Sequence, residues 1–359
     1  SPAGPDSRVR NRIRQARLVR VWGRRFDRAS DGHLRVVKVT EGEYLTLVDC
    51  LLVEAAQGNI DGKLGAMATR LGFAAAQLTV EPHEGSAQVT VTIRNGDPLA
   101  DRVDSTVTTL AAAPDVPVRI GRDALGNPAT IALLGGHHLV AGRTGAGKSK
   151  AFMLLLIGAV QRGAEVHVVD LKFGIEARPI APRCASVADT RDAARELVAR
   201  VRVEMERRGR LMAAEGWSDW GQSPDPSPLV LGVDEAAEIK RDPATWADLL
   251  EIVRLGRATW VVAILAAQRP TGDTLPSAVT GQLGSRWLGP LTPAESEVAL
   301  LGASAVVAPH QLPERPGRAV LVRGGRGVEV QTDWLSDEVV AAWAAVRPSV
   351  AVDAVGVPV

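Results

Sequence analysis

The pattern of apolar and polar positions in the first third of the chain predicts a small mixed domain. Alternating positions predict strands over residues 33–39 (HLRVVKV) and over residues 86–95 (SAQVTVTIRN). Between them, the spacing of leucine, valine and alanine predicts an amphipathic helix over residues 43–58. A further helix is predicted near residues 101–112. We therefore expect a small α+β domain over residues 29–113.

The pattern changes after this domain. Residues 116–133 predict a β-hairpin that turns near Gly126 and Asn127. From His137 onward, short and almost entirely apolar strands alternate with longer helices. That order is typical of a parallel sheet that is buried on both faces, so the fold class expected here is α/β.

The last part of the chain predicts a second hairpin, which turns at Gly324-Gly325, and then a helix over residues 337–346. Together these elements predict one α/β domain over residues 114–346, with the domain boundary close to Ala113. A tail is expected over residues 347–359.

Length and composition narrow the class of protein. The 359 residues correspond to about two domains, and 46% hydrophobic with 23% charged residues excludes a largely disordered or fibrous chain. The longest apolar run, residues 151–160, is far shorter than the roughly 20 residues that cross a bilayer, so we expect no membrane span. The two cysteines, Cys50 and Cys184, fit no disulfide framework or metal cluster and favour a reducing cytoplasm.

The net charge of +1 hides a basic arm over residues 1–28. Nine arginines and one aspartate give residues 8–28 a net charge of +8, so the rest of the chain carries −7. Such an arm can bind nucleic acid, lie against anionic lipid, or flank a membrane anchor on its cytoplasmic side. The alternative is an ordinary solvated helix face.

A phosphate-binding loop carries the strongest signal for chemistry. The pattern G-x-x-x-x-G-K-S follows a predicted strand and opens a predicted helix, which is the context that a P-loop requires. Backbone N–H groups of such a loop surround phosphate oxygens, the lysine reaches the β- and γ-phosphates, and the serine ligates Mg²⁺. The residues predicted to bind ATP are Gly142, Arg143, Thr144, Gly145, Ala146, Gly147, Lys148, Ser149 and Lys150.

Polar residues end two later apolar strands. Asp234 and Glu235 follow PLVLGV, and we expect Asp234 to hold Mg²⁺ together with Ser149, and Glu235 to activate the attacking water as general base. Gln268 follows the strand TWVVAILAA and is predicted to contact the γ-phosphate and the water. Combined with the P-loop, this set favours hydrolysis of ATP over binding alone.

Five segments resemble the FtsK/SpoIIIE family of ATP-driven DNA translocases. They are VRIGRDALGNPATIAL, HHLVAGRTGAGKS, VVDLK, EMERRGRLMA and AAQRPTGDTLPSAVTGQLGSRWLG, spread over residues 116–323. The last two are more specific than any P-loop. The resemblance implies a RecA-like P-loop NTPase motor domain, preceded by the small α+β domain.

The resemblance also implies a hexameric ring that pumps double-stranded DNA through a central pore. In such rings an arginine of one subunit completes the site of the next, and the family pattern places this role at Arg257 or Arg286. It further implies that residues 271–282 face the pore. The small domain is expected to form a second tier of the ring.

The chain departs from the family pattern in two places. Leu171 stands where the family has proline, and Ala267 where it has threonine; neither change removes a catalytic group. Members that resolve chromosome dimers carry a membrane domain and a C-terminal DNA-reading winged helix, and only about 25 residues follow Trp334 here. This difference favours a motor for conjugative transfer of a plasmid or integrative element.

Three alternatives stay open. The first is an FtsK-like ATPase that drives protein secretion, although such chains carry several motor domains in tandem and this sequence has one P-loop. The second is a chromosome-segregation pump, and the third is a nucleotide-bound adaptor that binds DNA without turnover. The expected location is the cytoplasm, with membrane association through the basic arm or through a preceding segment.

Overall fold

The computed structural model describes residues 5–41, 45–53, 60–73, 77–83, 86–94, 97, 99–106, 117–305 and 307–345. The chain divides into two compact units. Unit 1 comprises Ser1–Asp101 with Ala124–Gly126, and unit 2 comprises Arg102–Asp123 with Asn127–Val359. The predicted boundary at Ala113 and the predicted tail lie outside the described residues.

Unit 1, as far as it is described, combines an antiparallel sheet with helices. Its elements are α1 (Pro5–Ala29), β1 (Leu34–Glu41), β2 (Leu45–Leu52), α2 (Ile60–Leu71), β3 (Leu78–Pro82) and β4 (Gln88–Arg94). The strands are hydrogen-bonded in the order β1-β2-β4-β3, and every pair is antiparallel. Val39, Val48 and Val91 are fully buried between sheet and helices. The two strands predicted in this region are confirmed.

Strand β2 shows that the helix predicted over residues 43–58 was wrong. Thr46, Val48 and Cys50 are buried, and the residues between them are half-buried. Burial therefore follows the two-residue period of a strand. Apolar residues occupy both faces of β2, and such a short run cannot be distinguished from a helix by its periodicity alone.

The second half of the basic arm belongs to the core of unit 1. Helix α1 runs to Ala29, and its Trp22 and Phe26 side chains are buried. Arg25 lies over the Trp22 ring at 4.5 Å and donates from Nη2 to the Leu71 carbonyl at 2.8 Å. Five further arginines of α1 are exposed: Arg14, Arg17, Arg20, Arg24 and Arg28. The helix thus has one side packed in the unit and one basic side open to solvent.

Unit 2 is built on one large mixed sheet. Its strands are β5 (Val118–Asp123), β6 (Pro128–Ile131), β7 (His137–Ala141), β8 (Glu165–Asp170), β9 (Ser186–Ala188), β10 (Leu229–Asp234), β11 (Val261–Ala267), β12 (Leu283–Leu288), β13 (Ser304–Ala305), β14 (Arg318–Arg323) and β15 (Arg326–Thr332). They lie in the order β6-β5-β15-β14-β12-β7-β11-β10-β8-β9, with β13 beside β15. The strands from β12 to β9 in this order are parallel, and the other end of the sheet is antiparallel.

Helices cover both faces of this sheet. They are α3 (Lys148–Gln161), α4 (Arg191–Glu215), α5 (Ala236–Ile239), α6 (Pro243–Leu255), α7 (Ser277–Thr280), α8 (Pro293–Ala299) and α9 (Asp337–Ala345). One apolar cluster joins α3 and α9 to one face, and a second joins α4 and α6 to the other. The expected α/β fold is confirmed, as are both hairpins and the final helix.

The helix predicted near residues 101–112 can be checked only over its first six residues. Residues 101–106, the start of this predicted helix, are not helical, and Asp104 instead forms a β-bridge with Trp334; residues 107–112 lie outside the described residues.

Of the helices in the described ranges, none is both long and apolar enough to cross a membrane.

Candidate nucleotide site

The carboxyl ends of the parallel strands form one edge of unit 2, where the predicted site residues meet. Asp234 at the end of β10 is in register with Asp170 of β8 and with Ala266 of β11. The P-loop follows β7 at Ala141, and β7 is the other neighbour of β11. The topology therefore brings together the P-loop, the acidic pair and the glutamine that the sequence singled out.

The P-loop backbone turns tightly before α3 begins at Lys148. Gly147 has φ +92°, and a Cβ atom there would lie 2.5 Å from the backbone nitrogen of Gly317. That nitrogen donates to the carbonyl of Ala146 at 2.7 Å, which fixes the loop against the start of β14. Only glycine fits at position 147. The loop thus ends at the N-terminus of a 14-residue helix, where partial positive charge favours anions.

One buried carboxylate at this edge holds two lysines. The Asp234 side chain is 1% exposed, and its Oδ1 accepts from Lys148 Nζ at 3.1 Å. Its Oδ2 accepts from Lys172 Nζ at 3.0 Å. Burial would lower the pKa of Lys172, but the hydrogen bond and charge of Asp234 outweigh burial and raise that pKa above its ordinary value. Lys172 is therefore a cation bound to Asp234, and Lys148 is the second lysine on the same carboxylate.

The loop after β8 is built to present Lys172. The Asp170 carboxylate is buried, and its Oδ1 accepts from the backbone N–H of Lys172 at 3.0 Å. Its Oδ2 accepts from the N–H groups of Glu176 and Ala177 at 2.9 and 3.0 Å. None of the sequence motifs assigns a role to Asp170 or Lys172. The available signal was VVDLK itself, an acid at the end of a buried strand followed by a lysine in a chain with few lysines.

Glu235 is buried and has a strained backbone. Its φ of +84° is unusual for a residue with a side chain, and such outliers cluster at functional sites. Both carboxylate oxygens accept from the backbone N–H of Gln268, at 3.3 and 3.4 Å. Burial raises the pKa of Glu235 above its ordinary value, against the opposing charges of Lys148 and Lys172. The Glu235 side chain is thus held close to Lys148 and Lys172.

The remaining P-loop side chains point to different partners. Arg143 donates from Nη2 to Glu314 at 3.1 Å in an exposed ion pair, and Lys150 donates to Asp337 at 2.6 Å. Ser149 is half-buried in the first turn of α3. In this conformation neither Arg143 nor Lys150 offers its side-chain charge to the loop, and their predicted contact with the nucleotide stays a prediction.

A cavity of about 290 Å³ borders the outer side of the P-loop. It is lined by the loop residues Arg143, Thr144, Gly145 and Ala146, and by Pro290, Glu314, Arg315 and Pro316. It lies next to the loop that would hold phosphates, and its size suits part of a small ligand.

Arg257 and Arg286, the two arginines predicted to complete the site of a neighbouring subunit, differ in their surroundings. Arg257 is exposed and precedes β11, so it lies at the amino end of that strand. The P-loop lies at the carboxyl ends, about 20 Å away along seven residues of strand. Arg257 is therefore outside the site of its own chain, and its predicted role toward a neighbouring subunit stays a prediction.

Arg286 is enclosed within unit 2, and the role predicted for it toward a neighbouring subunit stays a prediction. Its guanidinium is buried; Nη1 donates to the carbonyls of Ala299 and Leu301 at 2.9 and 2.8 Å, and Nη2 to that of Thr280 at 3.1 Å. These contacts favour a role in holding unit 2 together over a contact with another subunit. The family pattern could not show this burial, because the three carbonyls lie outside the motif's local sequence or fold back onto it only in three dimensions.

Replacing Arg286 with methionine is expected to lower the free energy of unfolding by about 2–4 kcal/mol, because buried carbonyls lose their donors. Urea unfolding of the variant measures this loss, with Arg326→Met at the exposed first residue of β15 as control. Unchanged stability together with lost ATPase activity would support the catalytic role instead.

The model of the FtsK/SpoIIIE family matches residues 99–286, slightly more than half of the chain. The chain belongs to the FtsK/SpoIIIE family. It is 30% identical over 251 residues to a "Sporulation regulatory protein" of Streptomyces azureus, covering 60% of this chain and 82% of that protein. It is 28% identical over 214 residues to "Transfer protein TraSA" of Streptomyces ambofaciens, covering 51% of each. The resemblance seen in the sequence is confirmed.

Solved structures show the same FtsK/SpoIIIE fold. The pCW3 conjugation coupling protein TcpA, in its monomer form with ATPγS, superposes with a TM-score of 0.61 at 20% identity, covering 88% of this chain and 96% of TcpA. The cytoplasmic domain of the type VII secretion ATPase EccC of Thermomonospora curvata gives 0.53 at 23% identity, covering 71% and 33%. At such identities these two matches establish the fold alone. Together with its family and its P-loop, the fold makes this chain an FtsK/SpoIIIE-type P-loop ATPase.

Proposed function

We propose that this chain hydrolyses ATP and uses the energy to translocate double-stranded DNA. The observation that carries the proposal is the contact of the P-loop lysine, Lys148, with Asp234, directly beside the buried Glu235. A P-loop, a strand-end aspartate and an adjacent carboxylate are the parts that an ATP-hydrolysing site of this fold needs.

Mg²⁺ is the ion that we propose for this site. It prefers oxygen ligands and is usually held by one or two protein groups together with phosphate oxygens and waters. The Ser149 hydroxyl and the Asp234 carboxylate offer such oxygens, so the residues present fit the ion. When bound, Mg²⁺ supplies positive charge to the phosphates.

The other site residues have distinct proposed roles. Lys148 binds the phosphates, while Glu235 accepts a proton from the attacking water. The Gln268 backbone already donates to Glu235, and its side chain would orient the water or the phosphate. Because Gln268 leads directly into residues 271–282, the proposed pore segment, a change at the nucleotide can be passed to DNA.

The names of two similar proteins support conjugative transfer as the process served. TraSA is named a transfer protein, and TcpA is a conjugation coupling protein. We propose that this chain moves the DNA of a plasmid or integrative element in the same kind of process.

The proposed assembly is a homo-hexameric ring in the cytoplasm, at the inner face of the membrane. In it Arg257 would complete the site of the adjacent subunit. The exposed arginines of α1 support the membrane contact, because a row of positive charges attracts anionic lipid.

The test is the ATPase rate of the purified chain with and without long duplex DNA, at low and moderate salt, with Lys148→Ala as the blank. Duplex DNA is expected to raise the rate severalfold, and the stimulation should fade as salt screens the phosphate contacts. Equal rates with and without DNA would contradict the translocase and leave an ATPase with another substrate, such as protein.

A further inference from the structure

Two lysines bind the buried carboxylate of Asp234, although one counter-ion is enough to balance its charge. Lys148 and Lys172 each bind one of its oxygens, at 3.1 and 3.0 Å. Lys148 is also the residue that binds phosphate in a P-loop. To do so it must leave Asp234, whose side chain is almost completely enclosed.

Leaving a buried carboxylate without a counter-ion is costly, because water cannot solvate it. If Lys148 were the sole partner of Asp234, this cost would oppose nucleotide binding. Lys172 offers a second counter-ion, because it binds Oδ2 and its contact does not depend on Oδ1. The loop that carries Lys172 is anchored independently of the P-loop, by the three backbone N–H groups that bind Asp170.

We propose that Lys172 is a positioning residue that keeps Asp234 paired while Lys148 moves from Asp234 to the phosphates of the nucleotide. The inference rests on the proposed binding of ATP and adds a residue to which the P-loop pattern assigns no role. It also explains why the Asp170 carboxylate is buried: it fixes the backbone from which Lys172 reaches Asp234.

The proposal predicts that the effect of losing Lys172 on nucleotide binding depends on whether Mg²⁺ is present. Without the metal, Lys172 is the remaining positive charge for Asp234 after Lys148 has moved. With the metal, a second source of positive charge is present next to Asp234. Loss of Lys172 should therefore weaken nucleotide binding strongly in EDTA and much less in Mg²⁺.

The experiment measures the dissociation constant of a fluorescent ADP, N-methylanthraniloyl-ADP, on the full chain in EDTA and in Mg²⁺. Lys172→Met is expected to raise this constant about 10- to 100-fold in EDTA and less than about threefold in Mg²⁺. Lys172→Arg should restore most of the affinity. Lys172→Gln is a second neutral variant if methionine impairs folding, and Lys38→Met, exposed on β1, controls for loss of one positive charge.

A thermodynamic cycle identifies the partner through which Lys172 acts. In an Asp234→Asn background no carboxylate needs a counter-ion, so adding Lys172→Met should change the EDTA affinity less than about threefold. A structural role of Lys172 would weaken binding equally in both solutions and in both backgrounds. Either that result or unchanged affinity in EDTA overturns the proposal.

The wild-type chain separates this proposal from the proposed function. If it binds the fluorescent ADP no better than Lys148→Ala, the nucleotide site itself is refuted. If it binds well and Lys172→Met binds equally well in EDTA, the site stands and the role of Lys172 is refuted.

Discussion

Replacing Glu235 with glutamine is expected to lower ATP turnover by about 10²- to 10⁴-fold and to leave ATP binding within about threefold of wild type. Glutamine has nearly the same size and keeps an oxygen for the Gln268 N–H, but it cannot accept a proton from water. The measurement pairs steady-state ATP hydrolysis with binding of a fluorescent nucleotide on the same preparations.

The matched control is Glu238→Gln, three residues further on in α5. Glu238 forms ion pairs with the exposed Arg191 and Arg241. Because such surface pairs contribute little, loss of the Glu238 charge should change turnover less than about twofold. An unaltered rate in Glu235→Gln would contradict the proposed base, and a variant that binds no nucleotide would show that the substitution disturbed the loop instead.

The chemical groups on the P-loop and on Asp234 and Glu235 could be predicted from the sequence because each motif is local. A glycine-rich turn between an apolar strand and a helix, or an acid at the end of an apolar strand, is visible in a few consecutive residues. Parallel strands present their carboxyl ends at one edge, so the motifs could also be expected to meet.

The role of Lys172 could not be predicted in this way. It depends on β8 lying beside β10 so that Asp170 and Asp234 are in register, and the order of strands in a sheet is not written in any one segment. For the same reason the burial of Arg286 could not be predicted, because one of the carbonyls that it binds lies 15 residues away in the chain.

Strand β2 illustrates a different limit. Its apolar residues lie on both faces, so the alternation that identifies a half-buried strand is absent, and the choice between helix and strand depends on neighbours in the sheet. Strands β7, β8, β10 and β11 were easier to predict because each is a short, almost entirely apolar run separated from the next by a longer helical segment.

Mild acid should destabilise unit 2, because two buried histidines must stay neutral. His137 Nδ1 accepts from the backbone N–H of Ala263 at 2.9 Å. His138 Nε2 lies 2.9 Å from the carbonyl of Leu133 and donates to it, so its Nδ1 accepts from the Ser285 hydroxyl at 2.8 Å. Neither ring has room for a second proton without losing a hydrogen bond.

The pKa of both His137 and His138 is lowered to about 4, mainly by burial and, for His137, also by the adjacent His138. In the unfolded chain the pKa is near 6.5, so between these values the unfolded state binds more protons than the folded state. The stabilisation from neutral histidine is therefore complete above about pH 6.5 and is lost as the pH falls toward 4.

At pH 5 each histidine is expected to contribute a loss of about 2 kcal/mol relative to pH 7.5, or about 4 kcal/mol together, a large part of the stability of a typical domain. Urea unfolding at the two pH values measures the difference. His138→Asn keeps an acceptor for Ser285 and cannot be protonated, so it should reduce the pH-dependent loss by about half. His310→Gln, at an exposed position, should leave it unchanged. Equal losses in wild type and His138→Asn would assign the acid sensitivity to other groups, because the variant has one buried imidazole fewer to protonate.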